Sequence, residues 1–176
     1  IIEIKNIRKE DFAVVELSSL QLISMRKSPD ISGITNISPN HLDVHKDMAE
    51  YTNAKEQIIL HQNAFSTSIL NYDNPGTKCM AEKVRGKVLF FSAKEKLQAG
   101  AWIGENEDII FSEYGKDHKI INLSDIKIPG MHNVENYMAA ICAVKSLVSE
   151  ENIKNVANTF SGVEHRIEFV KSINGV

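Results

Sequence analysis

The sequence is poor in the residues that mark the specialised classes of protein. Its 176 residues include two cysteines and four prolines, and aromatic residues make up 7% of the chain. Cys79 and Cys142 stand alone, so the sequence predicts neither a disulfide framework nor a cysteine-based metal site. No apolar run approaches the roughly 20 residues that a membrane-spanning helix requires. We therefore expect a cytoplasmic protein in a reducing setting, without a membrane segment.

An excess of charge of one sign is also missing. The net charge is −3, so nothing favours binding to nucleic acid or to an anionic membrane. With 43% hydrophobic residues, a chain of 176 residues can form one domain with a sizeable core. There is no initiator methionine, and Ile1 opens an apolar run typical of the middle of a strand. We expect the chain to be a piece of a longer polypeptide.

Two phosphate-binding motifs are absent: neither G-x-x-x-x-G-K-[ST] nor G-x-G-x-x-G occurs in the chain. What is present is an alternation of apolar runs and helix signals. Strands are predicted at 12–17, 31–37, 68–71 and 88–92, and helices at 47–61 and 79–84. Such alternation is typical of βαβ units in a mostly parallel sheet. Asp47 is predicted to cap the first of these helices, with Glu50 completing a capping box.

The second half of the chain has a different pattern. Short strands joined by polar turns predict an antiparallel meander within 101–123. Helices are predicted at 133–148 and 153–160, and residues 168–173 are predicted to be extended. In the first helix Met138, Ile141, Cys142 and Leu147 are spaced as one buried stripe. The predicted fold class is α/β: a mostly parallel sheet flanked by helices, with an added meander.

The segment from Asn36 to Gln62 concentrates ionisable residues directly after a predicted strand. Open α/β sheets place their chemistry at the carboxyl ends of strands. His41, Asp43 and His45 could bind a metal, act as acid or base, or simply decorate a loop. Lys55, on the following helix, could be a partly buried nucleophile toward carbon dioxide, or a lysine that extends to solvent from the helix flank.

Three further groups admit both a functional and a structural interpretation. Glu16, at the end of the first predicted strand, could bind Mg²⁺ beside phosphates or face solvent. Asn133 could cap its helix, whereas Asn133 and Asn136 together could contact a purine edge. Arg166 could contact phosphate or ribose, or form a surface ion pair with a neighbouring glutamate.

Four segments, taken together, resemble the Mur ligases, the ATP-dependent amide ligases of peptidoglycan precursor synthesis. They are ELSSLQL at Glu16–Leu22, NISPNHLDVH through AKEQI at Asn36–Ile58, GMHNVENYMAA at Gly130–Ala140 and FSGVEHRIEFV at Phe160–Val170. The ELSS-x-QL form is most similar to the branch that adds D-glutamate to UDP-N-acetylmuramoyl-L-alanine. Leu20 stands where the family commonly has phenylalanine, which is a mild packing change.

The resemblance implies a fold, a reaction and a set of site residues. Residues 1–170 would be the central ATP-binding domain without its phosphate-binding loop, and 171–176 the start of a link to a C-terminal domain. The reaction would form an amide through an acyl phosphate, using ATP and Mg²⁺, in a cytoplasmic, monomeric parent enzyme. The chain alone would be inactive.

The resemblance also assigns roles to residues that were ambiguous by themselves. Glu16 and His41 would be Mg²⁺ ligands, and Lys55 would be a carbamylated lysine that supports a second metal. Asn133 and Asn136 would contact adenine, and Arg166 would lie near the ribose. Ser18, Ser19 and Gln21 would lie near the metal and the substrate phosphate.

Other interpretations stay open at the level of sequence. The parent could be another Mur ligase or a folylpolyglutamate-type ligase acting on a different substrate. A chain of another class would be a metal-dependent hydrolase using His41, Asp43 and His45, and a third option is a nucleotide-binding module without catalysis.

Overall fold

The computed structural model describes residues 6–39 and 44–163 of the chain. Its strands are β1 (Ile31–Ile34), β2 (Thr67–Asn71), β3 (Lys87–Ser92), β4 (Gly100–Ile103), β5 (Asp108–Glu113) and β6 (Lys116–Asn122). Its α-helices are α1 (Ser19–Ile23), α2 (Met48–Leu60), α3 (Pro75–Met80), α4 (Met131–Val144) and α5 (Glu150–Thr159). Within these residues no helix is long and apolar enough to cross a membrane.

The six strands form one sheet in the order β1-β2-β3-β4-β5-β6. The first four are parallel to one another, and β5 and β6 continue the sheet in antiparallel pairing. This confirms the predicted α/β class and the predicted meander. Because β1 to β4 are parallel, their carboxyl ends lie along the same edge of the sheet, which is where such folds place ligands.

Helices cover both faces of the sheet, and each face has its own core. On one face, side chains such as Ile69, Phe91 and Ile109 pack against α4 and α5 around Met138. On the other face, Leu70 packs against α2 and α3. Since neighbouring residues of a strand point to opposite faces, Ile69 and Leu70 serve different cores. The sheet is thus buried on both sides, as expected for parallel strands.

Local signals set several helix ends. The Asp47 side chain accepts the Glu50 amide at 2.9 Å, as predicted, so α2 begins directly after it. The Glu50 carboxylate accepts the Lys46 amide at 2.6 Å, rather than that of Asp47. Asn74 caps α3, and Pro75 occupies its first position, where a missing amide hydrogen costs nothing. The predicted start of that helix, at residue 79, was therefore too late.

The strand predicted at 12–17 is wrong. Residues 11–18 belong to no strand, and the side chains of Phe12 and Val14 are 71% and 99% exposed. An apolar run becomes a strand only when a neighbouring strand accepts its ladder hydrogen bonds, and β1 pairs only with β2 within the described part of the chain. The segment instead leads into α1, where Ser18 and Gln21 form a reciprocal capping box.

The predicted stripe on α4 is correct except at its end. Met138, Ile141 and Cys142 are buried, together with Val134, but Leu147 is 44% exposed. Helix α4 ends at Val144, so the periodicity that would have turned Leu147 inward does not continue. The extended segment predicted at 168–173 lies outside the described residues.

Gly100 marks the junction between the parallel strands and the meander. Its φ of +119° is a conformation that other residues rarely adopt. A Cβ at this position would lie 1.8 Å from the carbonyl oxygen of Phe90 on β3. The absence of a side chain therefore allows β3 and β4 to approach closely.

Trp102, on β4, is tied to the meander by a chain of polar contacts. Its indole N–H donates to the Ser112 hydroxyl at 2.8 Å, and that hydroxyl donates to Asp117 at 2.5 Å. Asp117 in turn pairs with Lys96 at 2.7 Å. These contacts join β4, β5 and β6 through side chains as well as through the backbone ladder.

The two cysteines differ in environment, and this gives a test of the core. Cys142 is buried, and burial raises the pKa of its thiol to about 12, whereas Cys79 is exposed. Because the thiolate is the reactive form, we expect a thiol reagent at neutral pH to modify Cys79 alone in the folded chain. Mass spectrometry should show both thiols modified only after unfolding. Rapid modification of Cys142 in a folded Cys79→Ser variant would contradict this packing.

Candidate functional site

The carboxyl edge of the parallel strands carries a set of polar side chains. Asn71 ends β2, Ser92 ends β3, and Asn36 follows β1 by two residues. The Asn71 amide donates to the carbonyl of Thr35 at 3.0 Å, which links the ends of β1 and β2. Polar side chains of three strands are thus held along one edge.

Asp73 joins the next two strands at this edge. Its carboxylate accepts the Ser92 hydroxyl at 2.6 Å and the Ala93 amide at 2.7 Å. Both oxygens are engaged by the turn after β3, so Asp73 fixes that turn. Asp73 was not predicted as a site residue, because its partners lie 19 and 20 residues further along the chain.

Asn74 holds the segment that follows β1. Its amide nitrogen donates to the Asn36 side chain at 2.6 Å and to the carbonyl of Ile37 at 3.0 Å. Its oxygen accepts the Thr77 amide as the cap of α3. One side chain therefore fastens the start of α3 to the chain that leads toward residue 41. The Asn74-Pro75 pair is a local sign of a turn, but nothing near it in the sequence indicates the distant partners Asn36 and Ile37.

Helix α1 packs against α2, and a buried hydrogen bond joins the segments that carry them. His45 Nε2 lies 2.7 Å from the Ser19 hydroxyl oxygen. The two side chains are 3% and 6% exposed. The His45 ring also meets the Tyr51 ring edge to face, with 5.4 Å between centroids. His45 thus touches the first turn of α1 and the first turns of α2 at once.

Lys55 lies on α2, one turn beyond Tyr51, with its side chain partly buried. Its Nζ is 5.9 Å from the centroid of the Tyr51 ring, at the outer limit of a cation–π contact. Burial lowers the pKa of Lys55 from its ordinary value, and the negative charge of Glu16 opposes part of that effect. The charge of Glu16, in the segment directly before α1, is therefore felt at Lys55 on α2.

The structure brings together some of the predicted site residues and leaves others aside. The negative charge of Glu16 acts on Lys55, and the buried Ser19–His45 hydrogen bond joins the segments that carry them. Ser18 and Gln21 serve the cap of α1. His41 and Asp43, predicted beside them, lie outside the described residues, as does Arg166.

The environment of His45 does not support the metal-dependent hydrolase interpretation. This side chain is buried and bonded to Ser19, so it is not presented to a substrate. Among residues 6–39 and 44–163 there is no group of three or more histidines, cysteines or acidic residues arranged to hold a metal ion.

Asn133 and Asn136 lie in the first two turns of α4. Gly130, with a φ of +100°, is the residue that precedes the helix, so of the two interpretations left open for Asn133 the helix cap is excluded. The Asn133 amide nitrogen instead donates to the carbonyl of Pro129 at 2.6 Å. Asn136 is exposed, one turn further along. Their spacing places both amides near the start of α4.

Comparison with known protein families gives a match over most of the chain. Residues 3–144 match the Mur ligase middle domain. The chain is 48% identical over 174 residues to the UDP-N-acetylmuramoylalanine--D-glutamate ligase of Clostridium kluyveri. It is 47% identical to the enzyme of the same name from Acetivibrio thermocellus. Each alignment includes 99% of this chain and 37% of the relative, so the chain spans little more than a third of these proteins.

Solved structures show the same fold at lower identity. The MurF of Acinetobacter baumannii matches with a TM-score of 0.58 and 21% identity, over 84% of this chain and 32% of that one. The UDP-N-acetylmuramate:L-alanyl-gamma-D-glutamyl-meso-diaminopimelate ligase of Neisseria meningitides matches with a TM-score of 0.59 and 18% identity. That alignment covers 77% of this chain and 41% of that one. The match over residues 3–144, the relatives and the shared fold agree. The chain belongs to the Mur ligase family and contains its middle domain.

Proposed function

We propose that the complete protein containing this chain is an ATP-dependent ligase that adds D-glutamate to UDP-N-acetylmuramoyl-L-alanine in peptidoglycan precursor synthesis. The observation that carries this proposal is the 47–48% identity to ligases of that name over 99% of the chain. The middle-domain match supports the amide-ligase class, and the ELSS-x-QL segment supports the D-glutamate branch.

The proposed reaction has two steps and uses only ATP, the alanyl substrate and D-glutamate as reactants. An oxygen of the alanyl carboxylate attacks the γ-phosphorus of ATP, which releases ADP and leaves an acyl phosphate. The amine of D-glutamate then attacks the acyl carbon, the C–N bond forms, and phosphate and a proton leave. When bound, ATP supplies the phosphoryl group, and Mg²⁺ offsets the charge that gathers on it.

Glu16 fits the role of a Mg²⁺ ligand. Hard cations prefer carboxylate oxygens, and Glu16 is exposed at the site. Its carboxylate forms no hydrogen bond or ion pair with any other residue that the structure describes, so its oxygens are not committed within that part of the chain. His41, proposed as a second ligand, rests on the family resemblance alone.

Lys55 fits the role of a carbamylated lysine. A neutral amine is required, and burial lowers the pKa of Lys55, which raises the neutral fraction at a given pH. The nitrogen lone pair attacks the carbon of dissolved carbon dioxide, a proton passes to solvent, and an anionic carbamate forms. That group would add oxygen ligands for a second cation beside Glu16.

The remaining assignments concern the nucleotide and the parent protein. We assign Asn133 and Asn136 to the adenine edge, because two amides one turn apart offer paired donors and acceptors. Arg166 is assigned to the ribose. Residues 1–170 would form the central domain and 171–176 the link to a C-terminal domain, in a cytoplasmic, monomeric enzyme.

The proposal is tested by assaying the complete protein with UDP-N-acetylmuramoyl-L-alanine, ATP and one amino acid at a time. We expect ADP release that depends on D-glutamate and on Mg²⁺, with L-glutamate and diaminopimelate as inactive controls. Turnover with another amino acid or with a folate substrate would replace the proposed specificity with that of a different ligase. Hydrolysis without ATP would overturn the ligase assignment altogether.

A further inference from the structure

We propose that His45 is a positioning residue that holds Glu16 and Lys55 at one site. This inference rests on the proposed function for its kinetic part and on the structure alone for its mechanical part. Glu16 and Lys55 are 39 positions apart in sequence: Glu16 lies just before α1, and Lys55 lies on α2, so their relative placement depends on how α1 is held against α2. His45 is a buried polar side chain that contacts both helices, α1 through Ser19 and α2 through Tyr51.

The segment that carries Glu16 is held by α1 and not by the sheet. Residues 11–18 have no strand partners, and Phe12 and Val14 are mostly exposed, so the sheet does not hold this segment in place. Its anchor is α1, a helix of five residues, in which Ser19 and Leu22 are buried. The apolar packing of Leu22 is not directional. The 2.7 Å hydrogen bond between Ser19 and His45 is directional, so it fixes the orientation of α1.

The second contact of His45 reaches the surroundings of Lys55. The Lys55 amine lies near the face of the Tyr51 ring, and the His45 ring packs against that same ring in an edge-to-face arrangement. An edge-to-face pair restricts the ring to a narrow range of orientations. His45 therefore acts in two directions: through Ser19 on the segment of Glu16, and through Tyr51 on the surroundings of Lys55.

The burial of His45 indicates that it positions other residues and does not act on the substrate itself. A histidine that is 3% exposed does not touch substrate, and its Nε2 is already engaged by Ser19. Leaving a buried polar group without its partner is costly, so the contact is expected to persist as long as α1 stays docked. Its effect on catalysis is thus indirect, through the relative placement of the carboxylate and the amine.

The test compares three variants in the complete protein. His45→Ala removes both contacts, His45→Gln keeps a nitrogen able to reach Ser19, and His45→Phe keeps a ring against Tyr51. His118→Ala is the matched control, because His118 is an exposed histidine on β6, away from the site. Thermal unfolding of each variant establishes that it is folded at the assay temperature.

The first readout is amide hydrogen exchange, which requires no activity. We expect His45→Ala to speed exchange in α1 at least about tenfold while α4 exchanges as before, and His45→Gln to restore much of the protection. The second readout is kinetic: the Mg²⁺ concentration for half-maximal turnover should rise about tenfold in His45→Ala, as for other groups that orient metal ligands. His118→Ala should change neither.

The outcomes separate the proposals. Unchanged exchange in α1 overturns the mechanical role of His45. Faster exchange with an unchanged Mg²⁺ dependence shows a structural contact only and overturns the positioning role. Absence of D-glutamate-dependent turnover in the unmodified protein overturns the proposed function, and the exchange result then still decides whether His45 holds α1.

Discussion

Replacing Lys55 by alanine in the complete protein is expected to lower ligase turnover about 100-fold or more. The proposed carbamate would place anionic oxygens beside Glu16, and groups that stabilise charge at a reacting centre contribute effects of about this size. Stability should not fall in parallel, because the change removes a partly desolvated amine whose pKa burial already lowers. Turnover at saturating substrate and the thermal unfolding midpoint would be measured together.

Lys55→Arg separates a carbamate from a simple positive charge. Arginine keeps the charge but stays protonated, so it cannot react with carbon dioxide. We expect the same loss of turnover as for Lys55→Ala. Lys154→Ala, which removes a long ion pair on α5, serves as the control for a lysine distant from the site.

Direct observation of the carbamate completes this test. In buffer containing ¹³C-labelled bicarbonate, a protein carbamate carbon resonance should appear in the unmodified protein and be missing in Lys55→Arg. Because the pKa of Lys55 is lowered, the signal should grow as pH rises through a range where exposed lysines are still protonated. Full activity in Lys55→Arg would rule out the carbamate.

Gly100→Ala is expected to cost about 3 kcal/mol or more of unfolding free energy. Two causes add: the strain of a φ of +119° in a residue with a Cβ, and a 1.8 Å approach of that Cβ to the Phe90 carbonyl. The clash involves backbone on both sides, so β4 must move away from β3. Since domains of this size have about 5–15 kcal/mol of stability, the loss should be visible as a large drop in denaturant midpoint.

Two other glycines make matched controls. Gly115 also has a positive φ, +74°, but an added Cβ would have open space, so Gly115→Ala should cost only about 1–2 kcal/mol. Gly33, on β1, has neither a positive φ nor a neighbour within 4 Å, so Gly33→Ala should be nearly neutral or slightly stabilising. Equal losses at Gly100 and Gly115 would show that the close approach of β3 and β4 does not matter.

Sequence patterns predicted the elements whose causes are local. Asp47 caps α2 where it was expected to, because a cap depends on residues within one turn of each other. The alternation of strands and helices was sufficient to predict the parallel sheet. By contrast, the apolar run at 12–17 has the composition of a strand but no partner strand among the described residues, and composition alone does not reveal partners.

The candidate site was predictable in part for the same reason. Glu16 and Lys55 were selected by residue type and by resemblance, and the structure places them within reach of each other's charge. The contacts that hold them were not predicted. Ser19 and His45 are 26 residues apart, and Asn36 and Asn74 are 38 apart, so no periodicity connects them. In a single sequence such pairs leave no local signal.

The side-chain contacts of Trp102 have a practical consequence for optical measurements. Trp102 is the one tryptophan of the chain, and its indole is fixed by the Ser112 hydroxyl within the meander. Indole fluorescence therefore reports on β4 and β5 and does not report on the region of α1 and α2. A change confined to α1 and α2 would leave the emission spectrum unaltered while circular dichroism registered it. A difference between the two signals would show that the half of the domain bearing Lys55 loosens before the half bearing Trp102.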